Sequence, residues 1–293
     1  MTVSDRPSFQ MFDLELNRRT ILGGLGAIAA VPTTLSGLAN AQSKLAPPNI
    51  ITAGKLIMSI NPTLPPLQYV DDKGVLQGMR VELGNEIAKR LGLTPEYIRI
   101  EFAAMVPGLA AKRWDIINTG IFWTEERSKL MYMVPYERAA ISFMVSKGNP
   151  LNINKWEDMA GRSVAVELGG IEEKRTREID EMLKKDGKKG LEIRTFNNFS
   201  EAFQALRAKQ VDAATSIDAT AMYWQTRGDF TRAVSGLFPQ IASFAFANKI
   251  LADAVVTALN ELRKEGFYDK LFDTYGVLKI EESIFSIKGP GPA

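Results

Sequence analysis

Residues 114–130 read WDIINTGIFWTEERSKL, a stretch in which a buried strand ends in polar and aromatic residues. The segment Asp115–Asn118, with Ile116 and Ile117 at its centre, predicts the strand. The pair Thr119–Gly120 predicts a turn after it, and the charged segment that follows contains Arg127. A guanidinium can bind a carboxylate through two parallel hydrogen bonds, which are among the strong hydrogen bonds of proteins. The stretch therefore predicts the floor of a small-molecule pocket in which Arg127 binds the negative end of the ligand.

Strands and helices alternate on both sides of this stretch. Upstream, KLIMSI and YIRIEF predict strands, VELGNEIAKRLG predicts a helix that ends at Gly92, and a hairpin turn is predicted at Asp72–Gly74. Downstream, RSVAVELGG, LEIRTF and DAATSI predict strands. The segments IEEKRTREIDEMLKKDG and SEAFQALRAKQV predict helices, the second with Ser200 as its N-cap. This alternation indicates an α/β fold with a mostly parallel sheet and helices on its faces.

The composition of the chain excludes several classes of function. The net charge is +2 and the basic and acidic residues are interspersed, so we expect no nucleic-acid partner. The 293 residues include no Cys and no His, which removes thiol nucleophiles, disulfides, the commonest general base and the commonest metal ligand. We therefore expect no metal site and no cofactor, and any catalysis would have to rest on carboxylates, Lys, Tyr or Ser.

The N-terminal residues 1–41 have the pattern of an export signal. The pair Arg18 and Arg19 precedes a short apolar run, and an Ala-x-Ala cleavage site lies at Ala39–Ala41. The paired arginines resemble the twin-arginine type of signal. The alternative is a membrane anchor, but the apolar run is too short and too rich in glycine to span about 30 Å of hydrocarbon. We expect cleavage near Ala41 and a soluble periplasmic protein.

The order of the segments resembles the family 3 extracellular solute-binding proteins, the periplasmic amino-acid receptors of ABC importers. The resemblance extends over residues 50–276 and includes VPGLAAKRWDIINTGIFWTEERSKLMYMVPY, WEDMAGRSVAVELGG, EAFQALRAKQVDAA and ALNELRKEGFYDKLFDTYG. It implies the two-lobed type II fold of periplasmic binding proteins, in which two parallel-type sheets are joined by two crossover strands. The ligand would be trapped in the cleft between the lobes.

The resemblance also implies domain boundaries and partners. Lobe 1 would comprise residues 50–138 and 246–285, and lobe 2 would comprise residues 139–245. The low-complexity end of the chain, residues 286–293, would form a flexible tail. The implied function is the capture of an amino acid or a related small carboxylate by hinge closure, for delivery to an ABC permease in the cytoplasmic membrane. We expect the protein to act as a monomer and not as an enzyme.

A set of ligand-binding residues follows from the same resemblance. Arg127 falls on the arginine of the T-x-x-R motif that binds the ligand carboxylate. Thr119 and Gly120 fall where relatives offer hydroxyl and backbone groups to that carboxylate. A loop of the second lobe, whose backbone N–H groups would add to the contact, comprises Gly169, Gly170 and Ile171. The alternative for Arg127 is a solvated arginine at the start of a helix.

The chain departs from the family pattern where an amino-acid receptor would bind the ligand's ammonium group. The acid expected in the first loop is Asn61, and the acid expected after a later strand is Ile217, with Asp218 one position further. A bulge could still bring Asp218 to the cleft, or Asp218 could be an exposed N-cap. Since a buried ammonium needs a paired anion, the ligand is either an amino acid held by Asp218 or an acid that lacks the amine.

Large apolar residues occupy further positions of the implied pocket. Leu64 replaces an aromatic that often stacks on the ligand, Phe122 replaces a small hydroxyl residue, and Phe102 lies where relatives often have Trp. Unless they belong to the core, they predict apolar pocket walls. Such walls would also suit a cyclohexadienyl dehydratase acting on prephenate or arogenate, with Asp218 or Glu167 as its acid. A sensory module for a membrane receptor is a third possibility.

Overall fold

The computed structural model describes residues 45–292. The export signal predicted for residues 1–41 lies outside the described residues. The strands are β1 Lys55–Ile60, β2 Thr63–Leu64, β3 Gln68–Val70, β4 Leu76–Gln77, β5 Thr94–Arg99, β6 Ile116–Phe122, β7 Tyr132–Ser146, β8 Ser163–Glu167, β9 Glu192–Phe196, β10 Ala213–Ile217, β11 Phe230–Phe246 and β12 Leu278–Lys279. The α-helices are α1 Met79–Arg90, α2 Met105–Ala110, α3 Glu125–Ser128, α4 Ile171–Lys185, α5 Phe199–Arg207, α6 Asp218–Arg227, α7 Lys249–Lys264 and α8 Phe267–Tyr275. Between residues 45 and 292, none of the helices has both the length and the apolar character that a membrane span requires.

Two long antiparallel strands, β7 and β11, connect two groups of parallel strands. The order of strands across the sheet is β5-β1-β6-β11-β7-β10-β8-β9. Strand β1 pairs in parallel with β5 and β6, and β8 pairs in parallel with β9 and β10. The group β5-β1-β6 joins one end of β11, where Phe246 faces Ile116, and the group β10-β8-β9 joins the other end of β7, where Val145 faces Ala213. The predicted α/β fold with two crossover strands is confirmed.

These groups define the two lobes. Lobe 1 contains β1–β6 with α1–α3, α7 and α8, and lobe 2 contains β8–β10 with α4–α6. Because side chains alternate along a strand, β1 contributes to two apolar layers: Leu56 and Met58 pack on one side, and Ile57 packs on the other. The exact lobe boundaries given by the resemblance stay predictions.

Strand β6 is longer than the sequence predicted. The turn predicted at Thr119–Gly120 is wrong, because the strand continues through this pair to Phe122. The pairing with β11 shifts register here: Ile121 faces Ser243, whereas Ile117 faces Ala245. The extra residues of β6 form a bulge, and Gly120 adopts a φ of 72° that favours glycine.

The start of helix α5 also differs from the sequence prediction. Ser200 was predicted to be the N-cap, but the N-cap is Asn198, whose side-chain oxygen accepts a hydrogen bond from the Glu201 N–H at 3.0 Å. Both residue types are good N-caps. Asn198 has the extended backbone that an N-cap requires, whereas Ser200 already lies inside the helix.

The C-terminal segment is attached to lobe 1, where the sequence predicted a flexible tail. The Lys288 N–H donates to the Met133 carbonyl at 2.8 Å, and the Gly291 N–H donates to the Ser128 carbonyl at 2.9 Å. The indole N–H of Trp123 donates to the Lys288 carbonyl at 3.0 Å. Composition did not reveal these contacts, because they use backbone groups that every sequence has.

Candidate functional site

A small cavity of about 20 Å³ lies between the two lobes. Lobe 1 contributes Asn61, Leu64, Arg80, Phe102, Thr119, Gly120 and Phe122 to its lining. Lobe 2 contributes Glu167, Ile171, Glu172, Phe199 and Ile217. Most of the ligand-binding residues predicted from the sequence therefore come together here, although Arg127, Gly169, Gly170 and Asp218 are not part of the lining.

Arg127 lies beside the cavity, where it contacts both lobes. Its Nη1 donates to the carbonyl of Phe122 at 3.0 Å, and its Nη2 donates to the carbonyl of Gly169 in lobe 2 at 3.3 Å. The guanidinium carbon is 5.4 Å from the centre of the Phe102 ring. Burial lowers the pKa of Arg127, although an arginine remains charged at any physiological pH. Among the described residues its side chain donates hydrogen bonds to carbonyls alone and forms no salt bridge, although the carboxyl groups of Glu172 and Glu126 interact with its charge.

Arg80 is a second cation at the cavity, and the sequence analysis missed it. Its Nε and Nη2 each donate to a carboxylate oxygen of Glu137 at 2.9 Å. Its Nη1 donates to Gln68 at 2.9 Å and to the carbonyl of Thr119 at 2.6 Å. Because Glu137 already pairs with the charge of Arg80, we assign Arg80 to positioning the end of β6 and not to binding an anion.

Glycine is required at position 120 by the close approach of the Arg80 guanidinium as well as by the backbone φ angle. A β-carbon at Gly120 would lie 2.1 Å from the guanidinium carbon of Arg80. The available sequence signal for Arg80 was its place in the first turn of α1 between the buried Met79 and Val81, where a charged residue is unusual.

Two buried glutamates reach the cavity from lobe 2. Glu167 ends β8, and its Oε1 accepts a hydrogen bond from the Nδ2 of Asn61 in lobe 1 at 2.6 Å. Glu172 lies in the first turn of α4. A β-carbon at Gly170 would lie 2.7 Å from Glu172 Oε2 and 3.7 Å from Glu167 Oε2, so the two carboxylates are close neighbours.

The electrostatics of both glutamates are unfavourable for the charged form. Burial raises the pKa of Glu167, and the nearby carboxylates of Glu172 and Glu101 raise it further. Burial likewise raises the pKa of Glu172, while a hydrogen bond from its own backbone N–H and the charges of Arg127 and Arg80 partly oppose this. The sequence analysis named Glu167 as an acid of the enzyme alternative and missed Glu172. The predicted start of a helix near Gly170 was a usable signal for Glu172, because acidic residues are favoured in the first turn of a helix.

The loop before α4 is engaged within the structure. The Gly169 N–H donates to Glu173 at 2.8 Å, and the Gly169 carbonyl accepts from Arg127. The Gly170 N–H is 3.4 Å from the carbonyl of Glu167. Ile171 places its side chain in the cavity. Ligand binding by the backbone of this loop stays a prediction.

Comparison with known sequences identifies the family of the chain. A sequence model of the bacterial extracellular solute-binding proteins of family 3 matches residues 56–277. The chain belongs to this family. The cleft of the solute-binding protein, with the cavity and both buried glutamates, lies between the strand groups that the two long strands join.

Relatives of this solute-binding protein carry names of amino-acid receptors. It is 28% identical over 227 residues to the L-cystine-binding protein TcyJ of Escherichia coli strain K12, covering 76% of this chain and 82% of the relative. It is 26% identical over 279 residues to a probable amino-acid ABC transporter periplasmic-binding protein of Sinorhizobium fredii, covering 89% and 90%. Among solved structures, an ancestral arginine-binding protein bound to arginine is similar with a TM-score of 0.67 and 32% identity, covering 76% of this chain and 98% of that one.

Asp218 is not among the residues that line the cavity of the solute-binding protein. Its Oδ1 accepts hydrogen bonds from the Ser142 hydroxyl and from the Gly236 N–H, the latter at 3.3 Å. Ser142 and Gly236 belong to β7 and β11, so Asp218 ties α6 to the crossover strands. The N-cap of α6 is Ile217, which excludes the alternative of Asp218 as an N-cap. A ligand-binding role for Asp218 stays a prediction, and its placement gives it no support.

Within residues 45–292, the acidic side chains form no group of three or more that could hold a metal ion. Chemically, the cleft offers Arg127, whose side chain is bound to carbonyls alone, together with two buried acids and apolar walls.

Proposed function

We propose that this solute-binding protein captures an amino acid or a related small carboxylate in the cleft between its lobes and delivers it to an ABC importer. The observation that carries the proposal is the state of Arg127. Its half-buried guanidinium donates hydrogen bonds to the carbonyls of Phe122 in β6 and Gly169 in lobe 2. It forms no salt bridge with a carboxylate of the described residues. A ligand carboxylate would be a stronger acceptor than either carbonyl, because both partners would then be charged.

The names of the relatives support the ligand class. The relative from Escherichia coli is named for L-cystine, and the solved ancestral protein is bound to arginine. The relative from Sinorhizobium fredii is named as part of an amino-acid ABC transporter. Each name gives either an amino acid, which has a carboxylate, or a role in a transporter. We carry over the amino-acid ligand and the transporter role to this chain as parts of the proposal.

Hinge motion is the mechanism that the closed cleft supports. The lobes are joined across the cleft by the Asn61–Glu167 bond and by Asn198, whose Nδ2 donates to Glu101 at 3.0 Å. A cavity of about 20 Å³ holds roughly one water molecule and cannot hold an amino acid. A ligand therefore requires the lobes to separate and then close on it. It favours the closed state only through contacts that it makes with both lobes.

The proposed place of action is the periplasm. The family is described as extracellular, and residues 1–41 carry the predicted twin-arginine signal with cleavage near Ala41. The proposed partner is the permease of the importer, and the proposed acting form is a monomer.

Titration calorimetry with a panel of amino acids and their deaminated analogues tests the proposal. We expect one or more carboxylates to bind with a stoichiometry of one per chain, because Arg127 is the one guanidinium identified at the cleft that is not already in a salt bridge with a carboxylate of the described residues. If none of the carboxylates binds to folded protein, the proposal is wrong.

A dehydratase is the second candidate, and one observation favours it. Glu167 is a buried acid with a raised pKa that shares its cavity with the rings of Phe102, Phe122 and Phe199. An acid of this kind could protonate a leaving group. Incubation with prephenate or arogenate, followed by absorbance, separates the candidates: the binding proposal predicts no turnover, and sustained product formation would favour the enzyme.

A further inference from the structure

Among the described residues, only one of the ionisable residues that line the cavity has a salt-bridge partner. Arg80, Glu167 and Glu172 are the charged residues of the lining. Arg80 forms a salt bridge with the buried Glu137 through its Nε and Nη2. The two other carboxylates form no salt bridge with any basic residue in the described part of the chain. The lobe 2 wall of the cavity therefore holds two buried carboxyl groups that have no salt-bridge partner within the described residues.

Both acids are too deeply buried for water to stabilise their charged forms. Glu167 is 3% exposed and Glu172 is 4% exposed. Buried carboxylates are normally paired with a cation, because an isolated buried charge is costly. The hydrogen bond from Asn61 is a contact with a neutral amide, which satisfies one lone pair of Glu167 but supplies no charge. The other end of the same amide accepts from the hydroxyl of Thr63 at 3.0 Å, which fixes the amide nitrogen toward Glu167.

We infer that Glu167 is a specificity-determining residue that accepts hydrogen bonds from a protonated amino or guanidinium group of the ligand. The inference rests on the proposed function, because it concerns the same cleft. It gives the ligand two charged ends: a carboxylate at Arg127 and a cation at Glu167. The ligand class is then amine-bearing carboxylates, and acids without an amine bind poorly. Glu167 takes the role for which the sequence offered Asp218.

Proton linkage provides a second signature of this contact. The groups that act on the pKa of Glu167 are Glu172 from α4, Glu101 from the segment after β5 and Asn61 after β1, whereas the charges of Arg80 and Arg127 act on Glu172. Burial and the two carboxylates raise the pKa of Glu167 in the free protein, and a bound cation would lower it again. Binding of an amine below the pKa of the free protein therefore releases a proton, and affinity rises as the pH rises through that range.

A panel of six-carbon acids isolates the contribution of each amine. Hexanoate has no amine, norleucine has the α-amine, 6-aminohexanoate has the distal amine, and lysine has both. Calorimetry on the purified protein should give an affinity at least about tenfold higher for the favoured amine-bearing acid than for hexanoate, because a charged hydrogen bond in a buried site contributes that much. The two single-amine acids distinguish which amine meets Glu167. The tightest amino acid of the wider panel is compared with its deaminated analogue in the same way.

The variant Glu167→Gln should remove this preference. We expect its affinity for the amine-bearing ligand to fall at least about tenfold, while its affinity for the amine-free acid changes by less than about threefold. In buffers of different ionisation enthalpy, the variant should also release fewer protons on binding than the wild type. Glu181→Gln is the matched control, since Glu181 lies on α4 with a 76% exposed side chain. It should bind as the wild type does.

The outcomes separate the inference from the proposed function. If Glu167→Gln is folded and keeps the full preference for the amine, or if the wild type binds hexanoate as tightly as the amine-bearing acids, the inference is overturned while carboxylate binding stands. If no carboxylate in either panel binds to the wild type, the proposed function fails and the inference fails with it.

Discussion

Replacing Arg127 by alanine should lower the affinity for the carboxylate ligand by at least about 100-fold, because truncating one partner of a buried charge pair has effects of this size. The variant removes the guanidinium that contacts Phe122 in lobe 1 and Gly169 in lobe 2. It leaves the fold intact, since the side chain makes hydrogen bonds only to carbonyls that can bind water instead. Titration calorimetry with the tightest ligand of the panel measures the effect.

Two further variants control this prediction. Arg127→Lys keeps the charge but loses the planar fork, so we expect an intermediate loss of about tenfold. Arg99→Ala removes an exposed arginine of lobe 1 that donates to the Gly74 carbonyl, and it should leave the affinity unchanged. If Arg127→Ala binds the ligand as tightly as the wild type, the assignment of Arg127 is wrong.

Replacing Arg80 by methionine should destabilise the folded protein by about 3–5 kcal/mol, the typical effect of breaking a buried ion pair. The variant leaves the carboxylate of Glu137 buried without a cation, since both groups have 1% exposed side chains. It also removes the donors that hold Gln68 and the carbonyl of Thr119. Urea unfolding of the ligand-free protein, followed by circular dichroism, measures the loss in free energy of unfolding.

The double variant Arg80→Met with Glu137→Leu identifies the cause. It removes both charges, so it should recover a large part of the stability lost in the single variant. Lys129→Met, an exposed control, should unfold as the wild type does. A single variant Arg80→Met that is as stable as the wild type would show that the buried pair is not important to the fold.

Local sequence signals predicted the regular elements well and failed where distant segments meet. The apolar run KLIMSI gave β1 with its observed bounds, because burial on both faces leaves a continuous apolar signature. The extension of β6 was missed because it depends on pairing with β11, more than a hundred residues away. The cap of α5 was misplaced because Asn198 and Ser200 are both suitable residues, and only the backbone conformation selects between them.

The resemblance to the family predicted most of the residues that line the cavity, and the others became known only from the contacts in the structure. Asn61, Leu64 and Phe102 were predicted and line the cavity. The role of Arg80 could not be predicted, because its partner Glu137 is distant in sequence and neither residue belongs to a motif. The acid at Glu167 was undervalued because the sequence analysis searched for an acid at the family positions.

A crystal structure with the tightest ligand of the panel tests the central claim most directly, namely that the cleft between the lobes binds a carboxylate through Arg127. The account predicts that the ligand lies between the two lobes with its carboxylate in hydrogen-bond contact with the Arg127 guanidinium. A ligand bound outside the cleft, or one whose carboxylate faces away from Arg127, would contradict it.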